Sequence, residues 1–474
     1  MQKTFFLSLH GCAKNQVDAE LIFGALTKSG WTLVDSAKDA SVIMINSCGF
    51  IESAKSESIM AVLQARKENP KAKIILAGCL AERYADALSE NLPEADVFFG
   101  NGNISKITEI FDSLLKNNFD TGLSIKDIEN NCYQKKIWLY PQEGISSGPR
   151  PKLFNFKNSA YIKITEGCSN YCSFCAIPII RGEVRSRPIV EITAEIKELL
   201  ARGVFEFNLI GQDLAAFSAE QETSKAKLSG LAHLLKEISK LKGDFVIRLL
   251  YIHPDHFPLD ILPIMQKDER LLPYFDIPFQ SASKRILKAM NRSGKAEIYL
   301  DLIQKINANF LDTSYKGACF RTTFLTGFPG ETEDDFNESL NFLKKVKPLW
   351  SGTFIFSPEE NTKAFSLPDP VPEATAIKRQ ELLQNTQIEI SSKLLENFVG
   401  QELILLVEEI IENPDDENFF VLGRIWFQAP EVDGCVVVPV YDKKTANKIS
   451  EGMRIKVKIR GVRGLDLEAD FLSF

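Results

Sequence analysis

Three cysteines stand four and then three residues apart in Cys168-Ser-Asn-Tyr-Cys172-Ser-Phe-Cys175. A loop of that spacing can wrap three thiolates round one face of an iron–sulfur cubane and leave the fourth iron open to a substrate or cofactor. Zinc is the alternative, but a structural zinc site closes with four ligands, and no Cys or His pair lies near enough in sequence to complete it. A second set is dispersed: Gly11-Cys12, Cys48-Gly49 and Gly78-Cys79, separated by 36 and then 31 residues. Each follows an apolar run of strand length by one to three residues, and in a parallel sheet such turns share the carboxyl edge, where α/β folds bind ligands. A second metal site is the expectation, with ordinary packing of buried thiols as its alternative. The remaining cysteines, Cys132, Cys319 and Cys435, have no such company and are expected to be structural. His253 and His256 flank a Pro-Asp turn and are expected to cap it, and His10 to shape the turn before Cys12.

The elements that must position these residues follow from periodicity. Apolar runs at Thr4 to Leu9, Ser41 to Ile45 and Lys73 to Ala77 end in glycine-containing turns, and the first two lead into helical stretches, so the expectation is a βαβ parallel-sheet domain. A Gly-, Pro- and Ser-rich stretch, Pro141 to Lys152, breaks the pattern. A second βα series has strand candidates at Ala160 to Ile164, Val204 to Ile210, Phe245 to Leu250, Tyr274 to Pro278, Phe320 to Leu325 and Thr353 to Phe356. Six units are too many for a small sheet and too few for an eight-unit barrel, so an open, partial βα barrel is expected. Pro372 opens a helix running to about Asn397, after which short β-rich runs predict a small all-β barrel. The expected division is an amino-terminal domain over 1–125, a linker over 126–155, the partial barrel over 156–396 and the all-β domain over 397–474.

Composition sets the outer limits. The 474 residues are 45% hydrophobic and 25% charged, enough to build full-sized cores, which excludes a disordered or fibrous chain. No run approaches the length of a membrane span and no secretory leader is visible, so a soluble cytoplasmic protein is expected. Nine cysteines in a reducing compartment favour metal binding or catalysis over disulfides. A net charge of −7 argues against a surface built to clasp nucleic acid.

The motifs resemble those of the radical S-adenosylmethionine (SAM) enzymes. Cys168, Cys172 and Cys175 match their cysteine signature, with the aromatic Phe174 before the last cysteine. Lys163-Ile-Thr-Glu-Gly-Cys168, Ile180-Arg-Gly-Glu-Val-Arg-Ser-Arg187, Gly11-Cys12-Ala-Lys-Asn15-Gln-Val-Asp18 and Asn46-Ser-Cys48-Gly-Phe50 resemble the methylthiotransferase branch. The resemblance covers nearly the whole chain and implies a methylthiotransferase amino-terminal domain, a radical SAM partial barrel and a carboxyl-terminal TRAM barrel. It implies two 4Fe–4S clusters, one on Cys168, Cys172 and Cys175 and one on Cys12, Cys48 and Cys79, with SAM as cofactor. The first cluster would split SAM into methionine and a 5′-deoxyadenosyl radical, and the second would hold or donate the inserted sulfur. A second SAM would supply the methyl group, and no acid or base side chain is needed. Phe174, Arg187, Gln212, Gly327, Gly330 and Glu331 are the expected SAM contacts. For the last three an ordinary strand-to-helix turn is the alternative, and for Arg187 and Gln212 surface or capping contacts are.

Within the branch, Asp276-Ile-Pro278, the run from Arg321 to Thr332 and Ala429-Pro-Glu-Val-Asp433-Gly are similar to the subgroup that modifies an aspartate of ribosomal small-subunit protein twelve, at its β-carbon. Gln280-Ser281 departs toward enzymes that modify adenosines of tRNA. From Asn397 onward nine basic residues face fourteen acidic ones, which would repel tRNA phosphates and suits a basic protein. The expected partners are that ribosomal protein, a sulfur donor and a reducing electron-transfer protein, with no membrane and a monomeric enzyme. Methylthiolation of tRNA is the alternative substrate reading, and a non-enzymatic iron–sulfur or zinc protein is the alternative of another class.

Overall fold

Strands buried on both faces read as continuous apolar runs, and the first domain is built on two of them. Residues 3–115, 137–218, 228–412 and 419–474 are described in a computed structural model. Cys132, part of the expected linker and part of the acidic stretch between Glu408 and Glu417 lie outside them. Strands β1 (Thr4–Leu9), β2 (Thr32–Leu33), β3 (Val42–Ser47), β4 (Lys73–Gly78), β5 (Val97–Phe99) and β6 (Ile137–Trp138) form a sheet in the order β2-β1-β3-β4-β5-β6, with every pairing parallel. Alternate residues serve two cores. Ile43, Ile45, Ile74 and Leu76 pack on one face, and Val42, Met44, Ile75 and Ala77 on the other.

Next come β7 (Ser159–Lys163), the short antiparallel pair β8 (Thr165–Glu166) and β9 (Arg185–Ser186), then β10 (Glu206–Ile210), β11 (Val246–Leu249), β12 (Leu271–Asp276), β13 (Cys319–Thr326) and β14 (Trp350–Ile355). The six longer strands form one sheet ordered β14-β13-β12-β11-β10-β7, with parallel pairing from β10 to β14. This is the expected partial βα sheet. On β12 the ring of Phe275 packs outward against Phe257, Phe310 and Phe320, so Tyr274 and Asp276 face the interior. The helix Glu373–Leu395 leads to β15 (Glu402–Glu412), β16 (Phe419–Arg424), β17 (Val436–Val440), β18 (Arg454–Arg463) and β19 (Asp466–Ser473), which close as a barrel in the order β15-β16-β17-β19-β18.

The chain divides into two compact units: Met1–Phe154 with Lys163–Arg187 and Ser357–Phe365, and Asn155–Ile162 with Pro188–Phe356 and Ser366–Phe474. The first therefore holds the amino-terminal domain together with the loop carrying Cys168, Cys172 and Cys175. Among the described residues no helix is long and apolar enough to cross a membrane.

Candidate active site

Cys12 lies just after β1, Cys48 directly after β3, and Cys79 opens the helix Cys79–Asn91 directly after β4. Parallel pairing of β1, β3 and β4 brings the three turns to one edge. Asn15 gathers them: its amide donates to Ser47 O at 2.7 Å and to His10 O at 3.3 Å, and its Oδ1 takes both the Cys12 and the Cys79 thiols at 3.7 Å. Gly78 allows the close approach, since a Cβ there would lie 2.6 Å from Asn46 Oδ1 and its φ is +91°. Arg83 holds the next turn, donating to Gly49 O at 3.1 Å and to the Glu359 carboxylate at 2.5 Å.

The loop of Cys168, Cys172 and Cys175 runs from β8 to the helix Ile177–Arg181, and its three thiols are half-buried. Cys168 N donates to Gly182 O at 3.0 Å, and Cys175 N to Cys172 O at 3.0 Å. Gly167 is indispensable by geometry: a Cβ would fall 2.1 Å from Glu183 O, and φ is +77°. Ala364 N donates to Ser173 O at 2.8 Å, so the Ser357–Phe365 segment supports both sets of cysteine turns.

A buried ionic cluster joins the two sets. Lys163, 1% exposed at its side chain, is held between Asp18 and Glu166. Arg181 donates to Glu166 at 2.6 Å and Asp18 at 3.2 Å through Nη1, and to Asn15 Oδ1 at 2.9 Å and Cys79 Sγ at 3.2 Å through Nη2. Burial alone would neutralise Glu166, but Arg181 and Lys163 outweigh it and hold its carboxyl well below the usual range. In the sequence, Asn15, Asp18, Lys163 and Arg181 stand out only as parts of the motifs. Ionisable side chains inside otherwise apolar runs were the available signal.

The donor chemistry fits metal. Burial, then the neighbouring Cys79, pushes the Cys48 thiol up to about 12, and burial raises Cys79 against the pull of Arg181. Thiols such as Cys48 and Cys79 that resist ionisation singly ionise readily on a cationic centre. Among the described residues no three Cys, His, Asp or Glu close on a single-ion position. A cubane asks for a wider triangle, because each thiolate takes a different iron.

The sequence profile of Uncharacterized protein family UPF0004 matches residues 4–100, that of the Radical SAM superfamily 162–343, and that of the TRAM domain 399–472. The ribosomal protein uS12 methylthiotransferase RimO of Treponema denticola is 54% identical over 474 residues, covering 98% of this chain and 99% of that protein. The chain belongs to the RimO family of radical SAM methylthiotransferases. The RimO of Natranaerobius thermophilus is 38% identical over 90% of this chain and 91% of its own. Among solved structures, the radical SAM methyltransferase TsrM of Kitasatospora setae, solved with cobalamin and a 4Fe–4S cluster bound, superposes with a TM-score of 0.53 at 12% identity, covering 77% of this chain and 74% of its own. That likeness concerns fold. As a member of the RimO family the chain is a radical SAM enzyme whose cofactors are SAM and 4Fe–4S clusters, two in this family.

The expected SAM contacts are placed as follows. Phe174 is half-buried in the cysteine loop. Arg187 is buried, with Nη1 donating to Lys163 O at 3.0 Å. Gln212 is half-buried just after β10. Gly327 and Gly330 lie in the turn after β13. Gly327 N donates to Glu331 Oε2 at 2.9 Å, and Gly330 N to Asp369 O at 2.7 Å. Glu331 also takes Arg379 at 2.8 Å, so its carboxylate ties the turn internally. His253 caps the turn Pro254–His256, and His256 pairs with Asp213 at 2.6 Å. Cys319 is buried and donates to Phe427 O at 3.6 Å, while Cys435 is half-buried. A cavity of about 1410 Å³ in the second unit opens at the amino ends of its strands, opposite to the edge where α/β sheets bind ligands.

Proposed function

We propose that the chain methylthiolates the β-carbon of an aspartate in ribosomal protein uS12. Cys168, Cys172 and Cys175 hold the SAM-binding cluster, and Cys12, Cys48 and Cys79 hold the sulfur-delivering one. When bound, the clusters and SAM supply the electron, the radical removal of hydrogen, the sulfur and the methyl group. The chain's own residues position and insulate. Gly167 and Gly182 set the curvature of the cysteine loop, while Asn15 and Arg83 fix the three amino-terminal turns. Lys163 and Arg181 neutralise Asp18 and Glu166, and Arg181 adds positive charge beside Cys79, which favours its thiolate. Phe174, Arg187, Gln212, Gly327 and Gly330 are assigned to SAM, with Glu331 shaping its turn.

The observation that carries this reading is the Arg181 bridge, which links Cys79 to the Glu166 base of the other cysteine loop inside one compact unit. Radical generation and sulfur supply must act on the same carbon, and a shared rigid support serves that need. The substrate assignment is supported by the relatives named for uS12 and by the acidic excess after Asn397. Sulfur and electrons come from separate donors. The test is anaerobic turnover of the reconstituted enzyme with SAM, reductant and either recombinant uS12 or tRNA, read by mass spectrometry. Methylthioaspartate in uS12 is expected; modification of the tRNA alone would discard the protein substrate.

A further inference from the structure

The row of turns that carries the dispersed cysteines continues one strand further, with an asparagine. Ser47 of β3 is in register with Gly78 of β4, and Ala77 of β4 with Phe99 of β5. Cys48, Cys79 and Asn101 therefore stand at matching steps beyond the carboxyl ends of three adjacent parallel strands. The contact that this register implies is made: Asn101 Nδ2 donates to Cys79 Sγ at 3.6 Å.

The surroundings of Asn101 are built to hold it there. Its backbone N donates at 2.7 Å to Oε2 of Glu82, which lies on the helix that Cys79 opens. One helix thus carries both the sulfur and the carboxylate that fixes the donor. Glu82 is itself held by Gln142, whose Nε2 stands 3.4 Å from Oε1 and donates to Ile180 O at 2.6 Å. Glycine flanks Asn101 on both sides because nothing larger fits. A Cβ at Gly100 would lie 2.0 Å from Glu82 Oε2, and one at Gly102 would lie 2.0 Å from Tyr140 O.

Arg181 Nη2 donates to the same sulfur at 3.2 Å, so Cys79 receives two side-chain N–H groups, one of them cationic. Among the described residues no side-chain N–H reaches Cys12 or Cys48, and Cys48 takes only the backbone N–H of Phe50. A sulfur bound to iron carries no proton and can only accept, which suits it to these donors.

We infer that Asn101, held by Glu82, tunes the cluster on Cys12, Cys48 and Cys79: together with Arg181 it donates into the Cys79 thiolate and raises the cluster's reduction potential. Reduction adds a negative charge, and N–H dipoles and a cation aimed at a ligating sulfur stabilise the reduced form more than the oxidised one. This rests on the reading of the trio as a cluster site. Asn101 is a positioning residue, acting through Cys79.

The experiment is a redox titration, followed by electron paramagnetic resonance, of the full-length chain reconstituted with iron and sulfide. Cys168, Cys172 and Cys175 are each replaced by alanine, so that only the cluster of the dispersed trio contributes. Asn101→Asp keeps the shape and exchanges the donor for a carboxylate oxygen. It is expected to shift the oxidised-to-reduced ratio at a fixed potential about tenfold or more toward oxidised, about 59 mV for a one-electron couple. Asn101→Ala should shift it the same way by less. Asn103→Asp places the same charge two residues on, where the side chain caps the next turn, and should shift the ratio less than about twofold. A wild-type midpoint in iron-replete Asn101→Asp, or an equal shift from Asn103→Asp, overturns the inference and leaves the cluster assignment standing. If Asn101→Asp fails to hold iron, Asn101→Ala decides, and its unchanged midpoint overturns the inference equally. A background chain that takes up no iron on the trio overturns the cluster reading and this inference with it.

Discussion

Arg181 Nη2 stands 3.2 Å from Cys79 Sγ while Nη1 of the same guanidinium stands 2.6 Å from Glu166 Oε1. One planar group thereby joins a cysteine of the dispersed trio to the strand that leads into the contiguous cysteine loop. Removing it leaves two buried carboxylates with Lys163 alone to balance them. Arg181→Gln is expected to destabilise the protein by about 3 kcal/mol or more, because breaking a buried ion pair strands a charge. Arg181→Lys should recover part of the loss, since it keeps the charge and forfeits the planar fork. Chemical unfolding of the purified variants measures both.

Gly167→Ala must place a Cβ against Glu183 O in a left-handed backbone. The strain alone is about 1–2 kcal/mol, and the clash forces the loop to move. Iron analysis after reconstitution should show loss of about one cluster's worth of iron, with release of 5′-deoxyadenosine reduced in step. Full iron content with normal SAM cleavage would show that the loop tolerates the change.

Asp335 begins the helix Glu333–Val346 in a reciprocal cap with Thr332 and also accepts from Ser283 and Arg285. Burial raises its pKa, but these donors outweigh burial and lower it to about 2. A depressed carboxylate stabilises the fold above its unfolded pKa, near 3.9, and loses that contribution as pH falls through the folded value. Asp335→Asn should cost about 1–2 kcal/mol at neutral pH, the size of a lost cap. The gap to wild type should narrow between about pH 4 and pH 2. Urea unfolding across that range checks it, and a gap independent of pH would contradict the ionic account.

An acidic carboxyl-terminal barrel that attracts a basic protein does so through screened charge. KM for uS12 should rise several-fold between about 50 and 300 mM salt, with kcat changing less. A KM indifferent to salt would remove the electrostatic part of the argument.

What the sequence could and could not disclose follows from distance along the chain. Cys12, Cys48 and Cys79 were legible as a trio because their spacing repeats with the βα unit and each stands beside a glycine. The partial barrel and the helix up to Leu395 were legible from apolar periodicity. β2, β5 and β6 were not, since two or three residues carry no period. β19 was missed because its outward positions are charged, leaving few apolar residues to alternate. The supports of the site were illegible for another reason. Arg181 meets Cys79 across 102 positions, and Glu359 meets Arg83 across 276 and Lys55 across 304. Each pair is a product of the folded chain, and no local pattern announces it.

The central claim is that two cysteine trios divide the work of one reaction. It is tested by replacing each trio with alanine and measuring, in the same anaerobic assay, 5′-deoxyadenosine release and methylthiolation of uS12. The account predicts that the Cys12, Cys48 and Cys79 variant still cleaves SAM but transfers no methylthio group, and that the Cys168, Cys172 and Cys175 variant does neither. Methylthiolation surviving loss of the first trio, or SAM cleavage surviving loss of the second, would contradict it.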